Sequence, residues 1–358
     1  MKIALINDTH FGARNDSEAF DNFFYKFYDN VFFPTLKERG IKTMIHLGDI
    51  TDRRKFINYR ILDRFRREFM WKLGDMGVDT HIIIGNHDTY FKNTNKVNSM
   101  DALFTSYDGQ NEPWIYSEAQ TVDFDGCKIL MMPWINPENH DYAMKQIEET
   151  DAQVCFGHLE IQGFMMYKGH VNHDHGVTAE TFNKFDLVCS GHFHHKSSQG
   201  NIHYLGNPYQ ITWSDYDDIR GFHIFDTETR ELEFVANPYT IFEKILYDDR
   251  TEDYLDFDYK QYEGKFVKLV VVNKINQQVF DRVVDNLSSI DLEELKIIED
   301  FSDFDTAYID DEKLQLDDTL SLLNTYIENI ETDADKNRIS DMMKTLYVEA
   351  SNANVTGA

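Results

Sequence analysis

The sequence predicts an α/β fold with a small second α/β module and a terminal pair of helices. Three observations predict it. Five apolar segments of strand length, at 2–7, 42–48, 78–85, 152–157 and 185–191, each end in Gly or Asn and are followed at once by Asp, Asn or His. Stretches with apolar residues at helical spacing lie between the first three. At 358 residues the chain also exceeds what one hydrophobic core usually serves.

Taken in order, residues 2–7 begin like a signal peptide, but the apolar run stops at Asn7-Asp8, so it reads as a first strand leading to Asp8-Thr9-His10. Residues 20–39 carry aromatics at helical spacing and run into Gly40. The strand at 42–48 opens onto Gly48-Asp49-Ile50-Thr51-Asp52. The helix at 59–73 places Leu62, Phe65, Phe69 and Leu73 on one stripe before Gly74. The strand at 78–85 opens onto Gly85-Asn86-His87-Asp88. Residues 121–124 and 127–132 flank Asp125-Gly126, a hairpin signature. The strand at 152–157 leads to His158, and that at 185–191 to Gly191-His192-Phe193-His194. Residues 221–226 and 231–235 form a second hairpin around 227–230, and the first domain is expected to span 1–240.

A strand at 265–272, a helix at 277–287 and a strand at 295–298 make up a small α/β domain over 241–298. Residues 299–318 are acidic enough to be a solvated linker. Two helices close the chain over 319–358. Asp317 or Asp318 caps the first, which carries Leu320, Leu323, Tyr326, Ile327 and Ile330. Asp333 or Asp335 caps the second, with Ile339, Met342, Met343, Leu346 and Tyr347. Such a pair has little core of its own and either packs back or offers an apolar groove to a partner.

Hydrophobic content of 42% and 27% charged residues suit a globular protein. The longest apolar runs, such as 267–272, fall far short of the roughly 18 residues of a membrane span. Cys127, Cys155 and Cys189 are odd in number and widely spaced, as expected of reduced thiols in a cytosolic protein. The net charge is −28, and residues 281–358 hold 20 Asp and Glu against 6 Lys and Arg, half of that excess. The opposite bias occurs at Arg53-Arg54-Lys55, followed by Arg60, Arg64, Arg66 and Arg67. It is either a solvated helix face or a phosphate-backbone contact beside Asp49.

Asp8, His10, Asp49, Asn86, His158, His192 and His194 offer carboxylate, amide and imidazole donors without thiolate, a set for Mn²⁺, Mg²⁺, Fe or Zn. They suffice for two ions, with Asp49 as the bridge at about 3.5–4 Å separation. A lone Asp-x-His is usually accidental; the ordered conjunction of all these motifs on one strand-then-loop grammar is not. His87 need not bind metal: it can donate a proton to a leaving oxygen or steady a phosphate. Asp52 either orients His87 through its other ring nitrogen or caps the helix that follows. His170, His173 and His175 read as substrate contact or plain loop rather than a third metal site. Residues 164–168, aromatic and basic near His158, meet bases or sugar, or pack in the core. His46, His81, His140, His203 and His223 have no motif around them and read as packed or surface residues.

This signature set resembles the calcineurin-like metallophosphoesterase superfamily. Within it the chain is similar to the nuclease subunits of SbcCD-type DNA double-strand-break repair complexes, in the form encoded by T-even-like phages, with Val122-Asp123-Phe124-Asp125-Gly126-Cys127, Ser190-Gly191-His192-Phe193-His194 and Arg220-Gly221-Phe222 carrying the finer match. The resemblance implies a two-sheet sandwich flanked by helices, capped by the small α/β domain. It implies one Mn²⁺ on Asp8, His10, Asp49 and His194 and another on Asp49, Asn86, His158 and His192, Mg²⁺ being the second choice, with His87 as the catalytic histidine. It also implies 3′–5′ exonuclease and single-strand endonuclease action on DNA, in the cytoplasm of an infected host, with an SbcC-like coiled-coil ATPase docked on helices 319–331 and 336–351. Dimerisation through helices around 59–73 and 97–107 would make Leu62, Phe65 and Phe69 interface residues. Asp52 stands where some nuclease relatives carry His and the phosphatases Asp, whereas Asp88 stands where the protein phosphatases carry Glu. A phosphatase or small-molecule phosphodiesterase is the alternative.

Overall fold

A strand that is apolar on both faces needs cover on both sides. The computed structural model, which describes residues 1–104, 112–167, 170–171 and 176–299, supplies it with two sheets packed face to face between helices. In the first sheet β1 (Lys2–Ile6), β2 (Thr43–His46) and β3 (Asp79–Ile83) run parallel, and β4 (Trp114–Tyr116) continues them. The second holds β5 (Gln120–Phe124), β6 (Cys127–Met132) and β7 (Val154–His158). β8 (Met165–Tyr167) and β9 (His170–Val171) form a separate antiparallel pair. β10 (Leu187–Gly191), β11 (Ser197–Gln199) and β12 (Ile202–Tyr204) complete the second sheet, in the order β11-β12-β10-β7-β6-β5. β13 (Gly221–Asp226) and β14 (Leu232–Ala236) return antiparallel to the first, giving β14-β13-β1-β2-β3-β4.

Alternation along each strand divides the core. Ile3, Leu5, Ile45 and Ile83 meet Ile129, Met131, Val154, Phe156 and Cys189 between the sheets. The intervening Leu130, Cys155 and Val188 face outward, into a cluster with Ala143 and Ile147 of the helix His140–Glu149. All three cysteines are buried thiols.

The outer face of the first sheet carries an aromatic layer. The helix Glu18–Phe27 passes through a widened turn at Tyr28–Phe32 into Phe33–Glu38. Pro34, which has no N–H and crowds the preceding turn, accounts for the widening. The helix Tyr59–Arg64 similarly runs through Phe65–Met70 into Trp71–Asp75, with Asn58 as its N-cap rather than Asp52. Its buried stripe is Ile61, Phe65, Phe69 and Leu73, and Leu62 sits half-exposed at its side. Phe65 and Phe69 stack on each other and both meet Phe11 at a tilt, at centroid distances of 4.8–5.9 Å. They are 0% and 1% exposed, core of this protomer and not the interface residues that the resemblance implied.

Both hairpins form where expected. Asp125 and Gly126, at φ 57° and 83°, supply the two left-handed positions that a tight two-residue connection requires. After the second, β15 (Phe242–Asp248) pairs parallel with β16 (Phe266–Asn273), followed by the helix Gln277–Ser289, capped by Asn276, and β17 (Glu294–Ile298). This three-stranded sheet has its own cluster of Tyr247, Tyr254, Leu269, Phe280, Val283 and Leu287. β15 went unseen in the sequence, where its burial is irregular. Met1–Ile211 and Asp215–Lys296 form one compact unit. The acidic stretch from residue 300 and the expected helices of 319–358 lie outside the described residues, as do the side chains of His170, His173 and His175. No described helix is long and apolar enough to cross a membrane.

Candidate metal centre

The candidate ligands come from the last residue of β7 and from the loops that follow the other parallel strands, and the backbone of several of them is bent to reach. Asp8, His10, Asp49 and His192 have φ of 49°, 43°, 57° and 90°, left-handed conformations that non-glycine residues rarely adopt. Long-range hydrogen bonds hold them. Asp8 N–H donates to Gly48 O at 3.0 Å and His10 N–H to Asp49 O at 3.2 Å, tying the first loop to the second. The Asp88 carboxylate accepts from the main-chain N–H groups of Asp49, Ile50, Thr51 and Gly85 at 2.8–3.1 Å, tying the second loop to the third. A Cβ at Gly85 would collide with the Asp49 carboxylate.

Two groups result. Ligand atoms of Asp8, His10 and His194 lie within 4.8 Å of one another, and so do those of Asp49, His158 and His192. Asn86 belongs with the second: its Oδ1 is 2.8 Å from His158 Nε2 and 3.0 Å from His192 Nδ1. The groups adjoin. Asp49 Oδ2 lies 3.3 Å from His158 Nε2 and 4.0 Å from His10 Nε2, the position of a bridging carboxylate. All seven candidate ligand residues read from the sequence are therefore gathered at one site.

His10 Nε2 and His194 Nε2 point at each other across 3.1 Å. Asp8 and Asp49 are fully buried, yet among the described residues their partners are imidazoles and amides rather than Lys or Arg. A buried cluster of carboxylates and facing ring nitrogens is the donor set of a dinuclear cation site. The protonation pattern says the same. Burial alone disfavours imidazolium, but Asp52, Asp49 and Asp8 around His10, and Asp49 and Asp8 around His158, carry both up to about 9. Burial holds His192 down to about 3, and His194 goes well below its ordinary range. Burial would raise the Asp49 carboxyl, but His158, His87 and His10 keep it ionised; burial raises Asp8.

His87 borders the cluster. Its main-chain N–H donates to Asp49 Oδ1 at 2.7 Å, and its Nδ1 donates to the main-chain carbonyl of Asp52 at 2.6 Å. The expected Asp52–His87 contact is made, but the acceptor is this carbonyl and not the carboxylate. The carboxylate lies 3.5 Å from His10 Nδ1 instead, because the turn after Asp49 directs it back toward the first loop. Arg53 is ion-paired with Asp16, and Arg54 Nη1 donates to Thr89 Oγ1 at 3.4 Å. Further along, Arg60 and Arg64 pair with Asp21 and Arg67 with Asp63, so that part of the basic stretch is a salt-bridged helix face.

Several positioning residues had no signal in the sequence. Asn7 Nδ2 donates to Asp8 Oδ2 at 2.5 Å and to Gly206 O at 3.0 Å. The Tyr209 hydroxyl donates to Thr9 O at 2.6 Å, between two ligands. Arg220 holds the His194 carbonyl and the Asn207 side chain, and Trp134 packs 5.0 Å from the His192 ring. Asp88 and Arg220 stood inside quoted motifs, Gly85-Asn86-His87-Asp88 and Arg220-Gly221-Phe222, but nothing there announced these contacts.

The family model for calcineurin-like phosphoesterases matches residues 1–196. The chain is similar to exonuclease subunit 1 of Enterobacteria phage T4, 32% identical over 358 residues, which cover 98% of this chain and 100% of that protein. It is also similar to a component of the nuclease SbcCD of Staphylococcus saprophyticus, 27% identical over 131 residues, 34% of this chain and 35% of that one. A solved structure described as a novel archaeal phosphodiesterase aligns with 66% of this chain and 100% of its own at 15% identity and a TM-score of 0.34. With ligands of both metal groups in place and a family match over more than half its length, the chain belongs to the calcineurin-like phosphoesterases.

Proposed function

We propose that this chain is the nuclease subunit of a DNA-end-processing complex, a two-metal phosphodiesterase acting as 3′–5′ exonuclease and single-strand endonuclease. The observation that carries the reading is the pair of adjoining His/Asp ligand groups in a chain that aligns end to end with a phage exonuclease subunit. Asp8, His10, Asp49 and His194 would hold one ion and Asp49, Asn86, His158 and His192 the other, Mn²⁺ in preference to Mg²⁺. When bound, such ions supply Lewis-acid stabilisation of the phosphate and a water acidic enough to ionise near neutral pH.

The chain's own groups do the rest. His87, held at Nδ1 by the Asp52 carbonyl, presents its other nitrogen to the leaving oxygen and gives it a proton. The Asp52 carboxylate orients His10. Arg53, Arg54 and Lys55 meet the phosphate backbone. The domain division follows 1–240, 241–298, 299–318 and 319–358. The last segment docks an SbcC-like coiled-coil ATPase, which supplies DNA affinity that a chain of charge −28 lacks, and the nuclease acts as a homodimer in the host cytoplasm.

The test is digestion of linear duplex DNA, labelled at either end, by the purified chain with Mn²⁺, Mg²⁺ or EDTA, with Asp49→Ala alongside. Mn²⁺-dependent shortening from the 3′ end that the variant loses supports the reading. Intact DNA with brisk phosphomonoester turnover would transfer the chain to the phosphatases. Inactivity on both calls for the same assay with the ATPase added.

A further inference from the structure

Two loops leave the metal centre side by side. His87 Nδ1 meets the carbonyl of Asp52, Arg54 meets Thr89, and Lys55 Nζ lies 5.9 Å from the centre of the Tyr90 ring. Large aromatic rings stand in solvent along this track: Phe56 is 64% exposed, Tyr90 41% and Phe91 49%. Tyr90 and Phe91 meet edge to face at 4.7 Å, and the Arg53 guanidinium, fixed by Asp16, sits 4.6 Å over Phe56. Tyr90 follows His87 by three residues, within about 11 Å of chain.

Among the described residues these rings lie outside the neighbouring aromatic layer, which is built from Phe11, Phe65 and Phe69. An exposed apolar patch beside a reactive site calls for a ligand. Its chemistry is set by what accompanies it. In a strongly acidic chain, this strip alternates rings with Arg53, Arg54 and Lys55. Stacking faces interleaved with cations suit a polyanion that bears flat rings.

We propose that Phe56, Tyr90 and Phe91 form a stacking platform for unpaired bases of a single DNA strand entering or leaving the metal centre. The proposal rests on the nuclease reading and adds to it a base-dependent, sequence-tolerant contact. A frayed or unpaired end is thereby favoured over a fully paired one, because bases must be free to stack.

The test separates bases from backbone. In EDTA, where nothing is cut, the full chain is titrated with labelled oligothymidylate and with an abasic sugar-phosphate strand of equal length. The wild type is expected to bind oligothymidylate the more tightly. The triple variant Phe56→Ala, Tyr90→Ala, Phe91→Ala is expected to lose about tenfold on oligothymidylate and nothing on the abasic strand. With Mn²⁺ restored, it should hydrolyse bis(p-nitrophenyl) phosphate, too small to reach the platform, at the wild-type rate.

Equal affinity of the wild type for both strands would overturn the platform, and so would unchanged oligothymidylate binding by the variant. A fall in small-diester turnover would mean that the rings merely support the metal loops. A change in sedimentation would mean that they join two copies of the chain. Because binding is read in EDTA, failure of the nuclease reading shows separately, as absence of DNA cleavage by the wild type.

Discussion

A carboxylate that accepts four main-chain N–H bonds cannot be replaced by an amide without turning a donor toward a donor. Asp88 is such a group: burial and Asp49 push its carboxyl up to about 6, while the amides of Gly85, Asp49, Ile50 and Thr51 hold it ionised. Asp88→Asn is nearly isosteric, so its effect isolates that clash. It should cost about 1–3 kcal/mol in urea unfolding and loosen the two loops that carry Asp49 and Asn86 of the second ligand group. Metal analysis by mass spectrometry should then find that ion under-occupied. His87 makes the opposite prediction. It reaches the cluster through its main-chain N–H and is steadied by a carbonyl, so its imidazole can be removed with the loops intact. His87→Ala should keep its full metal content and lose about 10²–10⁴-fold in kcat on DNA. Cleavage at the wild-type rate would end the assignment of His87 as proton donor.

The helix Tyr59–Arg64 and its continuation show how a pattern can be legible while its purpose is not. A four-residue spacing of apolar side chains was visible, but Ile61 rather than Leu62 completes the stripe, and Phe65 and Phe69 face their own core. Phe69→Ala should therefore cost about 3–5 kcal/mol in chemical denaturation and leave the sedimentation coefficient of the folded protein unchanged. A shift in oligomeric state without loss of stability would restore the interface. The same contrast runs through the fold. Strands β1, β2, β3, β7 and β10 were legible because strands covered on both faces read as unbroken apolar runs, and the seven candidate ligands because each lies at or just past the end of such a run. Strands β4, β11 and β12 have three residues each and little periodicity to detect. Asn7 and Tyr209 act through bonds spanning 199 and 200 residues of sequence, which no local pattern announces.

The molecule as a whole concentrates ionisable groups where its two sheets deliver their strand ends, and this couples metal, protons and stability. In the metal-free protein His10 and His158 are carried to about 9, above the roughly 6.5 of an unfolded chain. Groups with raised values stabilise the fold fully below pH ~6.5 and lose that contribution as pH rises through about 9. Metal ions need the neutral rings, so they displace these protons and take over the same charge-balancing place. The apoprotein in EDTA should thus lose stability between pH ~6.5 and ~9 while the metal-loaded protein does not. At a hundredfold excess over Kd each ion adds about 2.7 kcal/mol, and since Kd itself tightens as the protons leave, the gap in Tm should widen across that window. Calorimetric titration with Mn²⁺ at pH 7, in buffers of differing ionisation enthalpy, reads the displaced protons directly. The apparent heat should vary with the buffer in proportion to the protons released. A heat independent of buffer, together with a Tm gap that is flat in pH, would mean that the imidazoles enter the site already neutral and that the carboxylates alone set its charge.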